Sequence, residues 1–470
     1  MPASERERQF LEAEHLVELR SADLRKELRL RDLVAIQVLY IVGLSWIGAA
    51  AKMGSTHIMF WLGAVALFYI PSGIVVTHLA SEMPLEGGLY QWAKLRFGAL
   101  TGFLVAWSIW LYTIFLISRL GIQTADNLAY ALGPPGAWIA NSKPLIAAIT
   151  AVTVSGLMLV NWRGLALGKW VNGIGGLGVL FLFAAIILVG LPRWFHGKFA
   201  IAPVAFTFPA LTMFNFNILG KMGFGAFGGF DGVAVFAGEC RDKNVASSIR
   251  RSVWVAAPLI TALFILGAAS VLVFVKPEAV DLVSPITQVL SLGAPPLKAV
   301  AAAMLVVTLL AQDALNFSVI TRLPMVAGWD HLLPSWFSRL HPRYRTPTGS
   351  IVVIGAVSFV FAMLATAGSG NQEAFQLIDN AGGIMFGLAY LVMFAIPLIA
   401  RGEKPAIGVR LAAVSGFLMT LLYVTLSVFP IIDVANAGQF TEKVVAVVVG
   451  LQVVGALYFY RAHRFLQTGI

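Results

Sequence analysis

Two apolar stretches of the chain carry glycine where a membrane helix would otherwise run unbroken. The first reads VGLSWIGAAAKMG, with Gly43, Gly48 and Gly54; the second reads GFGAFGGFDG, with Gly223, Gly225, Gly228, Gly229 and Gly232. Unwinding a helix inside lipid is costly unless the freed backbone groups face a cavity or a ligand. A broken helix offers amide N–H groups on one half and carbonyls on the other. The start of the second half carries partial positive charge and suits an anion. In the first stretch the expected anion donors are the amides of Gly48, Ala49 and Ala50, with Trp46 restricting the pocket. In the second, the carbonyls around Phe224, Gly225 and Gly228 suit an ammonium. The competing reading is that these glycines only let helices approach closely.

Polar side chains in apolar surroundings complete the set. Lys52 either marks function, because an ammonium deep in a membrane is costly, or snorkels from the outer end of its helix. As a functional group it binds a carboxylate, replaces a coupling cation or pairs with Asp231 or Asp313. Gln312, Asp313 and Asn316 share one helical face, being three and four residues apart. That face either lines an interior site or hydrogen-bonds a neighbouring helix. Arg119 is a gate or the partner of a buried acid. Gln123, Thr124 and Asp126 are expected in solvent at an outer helix end, and Asp379 and Asn380 as a capped outer end. Tyr90, Trp92 and Glu86 belong to a cytosolic turn.

The elements that must position these groups follow from composition. Of 470 residues, 59% are hydrophobic and 12% charged, with a mean hydropathy of +0.83. A soluble protein carries about twice that charge. Twelve apolar spans are expected, at about 33–55, 58–80, 99–130, 143–160, 170–191, 213–239, 252–275, 297–323, 349–367, 377–400, 410–429 and 442–460. With the N-terminus inside, most basic residues fall in cytosolic segments, from Arg6 to Arg31 in the tail through Arg250, Arg251, Arg343 and Arg464. That asymmetry places both termini in the cytoplasm. It also accounts for the net charge of +10 without a nucleic-acid partner. The tail 1–32 has no cleavable apolar core and reads as cytosolic, not as a signal peptide. The single cysteine, Cys240, excludes an intrachain disulfide. Broken spans at corresponding places in two halves of a chain point to a transporter binding site. The fold class is therefore all-α and polytopic.

Several stretches resemble the amino acid–polyamine–organocation transporters. Pro84 to Trp92, PLEGGLYQW, is similar to the segment after span 2 in that family. Gly228-Gly229-Phe230-Asp231-Gly232, then Glu239 and Asp242-Lys243-Asn244, resembles the span 6 signature and its acidic exit. Asn161-Trp162-Arg163-Gly164 fits the approach to span 5. Arg322, Trp329 to Pro334 and His341 to Pro347 look like the loop between spans 8 and 9. The matches run in order from about Leu33 to Arg401. The resemblance implies a five-plus-five inverted repeat (LeuT-like), about 33–191 and 213–400, with two additional helices in 401–470. It implies secondary transport of amino acids or related amines in the plasma membrane. It gives Asp231 the task of holding the broken helix together, and puts His78 where relatives often carry glutamate, as a proton group.

The chain departs from the family in three places. The usual Gly-x-Gly of span 1 is Gly48-Ala49-Ala50. Gly225 stands where many relatives have an aromatic gate, which implies either a wider site or a gate borrowed from Phe224 or Phe227. No lysine occurs between Gly173 and Gly178, where many proton-linked relatives carry one. Cofactors and metals are not expected, and oligomeric state is not fixed; facilitated exchange, sodium coupling and proton coupling through Lys52, Asp231 or Asp313 all stay open. A polyamine carrier is the runner-up. An intramembrane enzyme lacks an H-E-x-x-H pattern or a Ser–His pair, and a channel lacks acidic rings or filter repeats.

Overall fold

A computed structural model describes residues 29–83, 88–229, 240–241, 245–329, 333–344, 346–366, 370–399 and 405–468. Within them, regular structure is helical apart from isolated bridge residues at Cys240 and between Leu340 and Pro347. Ten helices among the described residues are long and apolar enough to cross a membrane. They are Gly54–Glu82, Ala99–Leu132, Lys143–Arg163, Gly173–Phe195, Arg251–Phe274, Pro295–Ser318, Thr348–Thr366, Asn371–Leu398, Ile407–Leu426 and Ala437–Arg464. These correspond to spans 2–5 and 7–12. The two missing from the set are spans 1 and 6, the pair carrying the glycine runs.

Span 1 consists of Leu30–Ile41 and Trp46–Ala51 with a non-helical link between them. The break lies at residues 42–45, earlier than Gly48. Gly43 permits it: its amide folds back on the Ile41 carbonyl at 2.7 Å. A methyl group at Gly43 would collide with the Trp46 indole, which lies back across the link. The three alanines 49–51 follow their own strong propensity and stay helical. Gly48 serves packing, because a Cβ there would come within 3.1 Å of Pro285.

Span 6 begins at Met213, where the Thr212 side chain accepts from the Asn215 amide and caps the helix. It runs to Gly220, widens into a π turn over Lys221–Gly225, and leaves the helix after Phe227. Gly229 has φ +126°, a conformation open chiefly to glycine. Unwinding thus starts at Gly228, whereas Gly223 and Gly225 remain inside the π turn. Residues 230–239, including Asp231, Gly232 and Glu239, lie outside the described residues, as do Pro84 to Gly87 and Asp242 to Asn244. A second π turn, Val65–Tyr69 in span 2, packs against the first, with Phe68 and Phe224 edge to face at 5.5 Å. Single π turns often mark functional sites.

Spans 1, 2, 6 and 7 pack on one another, and spans 3, 4, 8, 9 and 10 form a second group, with span 5 against spans 7 and 8. Span 11 lies along spans 2, 6 and 10, and span 12 along spans 3 and 10. Two boundaries differ from expectation in ways that matter. Span 10 starts at Asn371, so Asp379 and Asn380 lie more than two turns inside it. Span 3 bends at Arg119, between Ala99–Ser118 and Leu120–Leu132.

Candidate functional site

The two broken spans meet. Gly225 lies flat against the Trp46 indole, and a methyl group there would come within 2.6 Å of Cη2. Gly225 therefore does not widen the site; its missing side chain admits Trp46. Beside this contact is a cavity of about 60 Å³. Sites for small molecules usually hold roughly 300–1,000 Å³, so the walls are drawn in.

Spans 1 and 6 and four further elements close the cavity. Span 1 contributes Ile41, Gly43 and Trp46, and span 6 contributes Phe224, Gly225 and Gly228. Span 3 gives Tyr112, Leu116, Arg119 and Gln123; span 8 gives Leu309, Gln312, Asp313 and Asn316. Asp379, Gly383 and Phe386 come from span 10, and Tyr423 from span 11. Of the expected site residues, the structure thus brings Trp46, Phe224, Gly225, Gly228, Gln312, Asp313, Asn316 and Arg119 together.

Others are elsewhere. Gly48, Ala49 and Ala50 do not line the cavity, and the amides of Gly48 and Ala49 already donate to the Ser45 carbonyl at 3.0 and 3.3 Å. The amides of Leu44, Ser45 and Ile47 have no acceptor among the described residues, so the unengaged donors of span 1 sit one turn earlier than expected. Phe227 turns away to pack on Trp61, Tyr69 and Phe264. Lys52 is half-buried beyond the cavity, with Nζ 3.4 Å from the Glu278 carbonyl. It pairs with neither Asp313 nor the cavity wall. His78 sits on the inner half of span 2, outside the cavity, and its carbonyl accepts from Ser81.

Gln312 works on the break itself. Its Nε2 donates to the carbonyls of Leu39 at 2.9 Å and Val42 at 2.7 Å. These are the last carbonyls of the first half-helix, which the break deprives of intrahelical donors. Asn316 donates to the Gln312 carbonyl at 3.1 Å. Asp313, 7% exposed, is left facing the cavity. Opposite it, Arg119 forms an ion pair with Asp379 and lies over the Phe375 ring at 5.3 Å. Arg119 is thus the partner of a buried acid. At the second break the Gly228 amide closes on the Phe224 carbonyl at 2.8 Å. The Gly229 amide would reach the Gly225 carbonyl in a continuing helix, but donates to the Tyr390 hydroxyl at 2.9 Å.

Gln123, Thr124 and Asp126 are buried, not solvated. Asn371 at the start of span 10 donates to Asp126 at 3.1 Å, and Thr287 donates to Asn127 at 2.8 Å. Helix Pro285–Gly293, between spans 7 and 8, supplies Thr287 and helps cover this end. Asp379, Tyr112, Gly383, Phe386 and Tyr423 were not singled out as cavity residues by sequence. Neither was Lys221, which is buried in the π turn of span 6. An ammonium in an apolar run was a readable signal for that one.

A family model described as amino acid permease matches residues 28–457. The chain belongs to the amino acid permease family. An uncharacterized transporter of Legionella pneumophila is 26% identical over 393 residues, covering 81% of this chain and 82% of that protein. The human Asc-type amino acid transporter 1 is 25% identical over 404 residues, 82% of this chain and 73% of the relative. A probable agmatine/putrescine antiporter of Lactococcus lactis is 20% identical over 352 residues, 73% of each chain. The permease is thus a multi-pass membrane protein of a transporter family, and a small molecule is its substrate class.

Proposed function

We propose that the permease carries α-amino acids across the plasma membrane by alternating access, with both termini cytoplasmic. The observation that carries this reading is the meeting of spans 1 and 6 at Trp46 and Gly225, beside a cavity lined by both signs of charge. Next to the lining residues Gly43 and Trp46, span 1 has amides at Leu44, Ser45 and Ile47 with no acceptor among the described residues, which the solute would reach once the closed cavity widens. Span 6 diverts the Gly229 amide away from the Gly225 carbonyl. Opposite ends of a zwitterion match these two kinds of backbone group.

In this reading residues 33–400 form the transport core as two inverted five-helix repeats, flanked by a tail at 1–32 and two helices in 401–470. Spans 1, 2, 6 and 7 rock against spans 3, 4, 8, 9 and 10. Entry of a solute requires Trp46 and the aromatic wall of Phe224, Phe386 and Tyr423 to withdraw, because the closed cavity is too small.

One observation favours a second reading, transport of an organic amine. Asp313 and Asp379 face the cavity against a single cavity-lining cation, Arg119. Purified protein in liposomes separates the two. Saturable counterflow of a labelled L-amino acid supports the first reading; counterflow of agmatine or putrescine without it supports the second. Linear flux with no counterflow rejects both.

A further inference from the structure

Lys221 lies in the π turn of span 6, 2% exposed and outside the cavity lining. Among the described residues its Nζ makes one hydrogen bond, to Oδ1 of Asn380 at 2.6 Å. The nearest carboxylate, Asp379, is adjacent to that asparagine and already engaged by Arg119. The Tyr423 ring stands 5.8 Å from Nζ, while its hydroxyl reaches the cavity wall beside Gly383. Tyr423 thus touches both, its ring beside the lysine and its side chain in the cavity lining.

The elements packed on the π turn add little charge. Span 11 presents Tyr423, near Tyr112 of span 3, and span 10 presents Asp379. On spans 1 and 2 the candidates point elsewhere. Lys52 reaches the Glu278 carbonyl, His57 the Pro203 carbonyl at 3.0 Å and Tyr69 the Val253 carbonyl at 3.5 Å.

The partner is neutral, and that is the informative point. A buried charge needs pairing, yet here a carboxamide faces the ammonium. Asn380 Nδ2 is itself buried with no hydrogen-bond partner. The pair therefore fits both protonation states. An ammonium donates to Oδ1 as observed; a neutral amine accepts from Nδ2 after the amide turns over. A permanent ion pair would serve structure better and would hold only the charged form. The bond also crosses the seam between the two helix groups, from span 6 to span 10.

We propose that Lys221 is a proton-binding site of the permease and carries the ion coupled to substrate movement. In one direction an Nζ–H bond breaks and its proton passes to cavity water on the open side. In the other, the amine takes a proton from cavity water after the cavity has opened to the opposite face. Because the pair spans the seam, each protonation state favours a different contact between the groups. This inference rests on the amino acid transport reading above.

The test uses full-length protein in liposomes containing a pH-sensitive dye, with a mixture of the common L-amino acids as probe. Wild type should move protons with substrate, irrespective of sodium, and its uptake should follow an imposed pH gradient. Lys221→Met should keep counterflow exchange but lose both dye response and gradient dependence. Asn380→Asp, which supplies a permanent anion, should likewise lose gradient dependence and provides a second variant if the first is poorly folded. Counterflow by wild type with no proton movement overturns the proposal and leaves amino acid transport standing. So does Lys221→Met that still accumulates substrate on a pH gradient. No counterflow by wild type overturns the transport reading, and this proposal with it.

Discussion

The two broken spans solve the same problem with opposite chemistry. In span 1 the first half ends at Ile41, and a donor from span 8, Gln312, satisfies the carbonyls of Leu39 and Val42. Its unengaged groups are amides. In span 6 the helix ends at Phe227, and an acceptor from span 10, the Tyr390 hydroxyl, takes the Gly229 amide. That diversion takes the Gly229 amide away from the Gly225 carbonyl. Each break is thus tied to the opposite helix group by one side chain that neutralises one polarity and leaves the other. A helix may be interrupted in lipid only when its polar groups are met; here they are met selectively.

The largest effect should come from Gln312→Leu. It strips the donor from two buried carbonyls, at about 1–3 kcal/mol for each unsatisfied group. Thermal unfolding in detergent should show a marked loss of stability, and transport should fail. An unchanged melting temperature would mean that span 1 holds its break without help from span 8. Gly225→Val should come next, because the new side chain meets Trp46 head on. Overpacking of this kind costs about 1–3 kcal/mol. The paired variant Gly225→Val with Trp46→Ala should recover part of the stability; no recovery would deny that the breaks touch.

Tyr390→Phe probes the other tether. It removes one acceptor from a backbone amide, so a loss of about 1 kcal/mol is expected, smaller than for Gln312. A larger loss than Gln312→Leu would reverse the ranking of the two breaks. Smallest of all should be Lys52→Met. Among the described residues its ammonium hydrogen-bonds the Glu278 carbonyl and Lys52 does not line the cavity, so substrate affinity in a binding assay should hold. A strong drop would return Lys52 to the site.

Sequence carried the helical architecture well, because long apolar spans can be read directly from the order of residues. It also found both interrupted spans and the polar face of Gln312, Asp313 and Asn316. The position of the first break was misread because Gly48 looked like the hinge, whereas Ala49 to Ala51 hold their helix and Gly43 bends. The outer residues Gln123 to Asp126 looked solvated because the helix that covers them, Pro285–Gly293, is remote in the chain. Tyr423 and Asp379 were illegible for a related reason. Each sits on a helix whose face is set only by packing. Lys221 was legible and overlooked, lying just ahead of a glycine run that drew the eye.

Gln312 lies near the middle of its helix, which runs from Lys298 to Trp329. By gripping the cut end of span 1 there, it ties the interrupted helix to span 8 at half height. Under the proposed rocking motion a beam pinned at its centre would tip without sliding, and lowering one arm would lift the other.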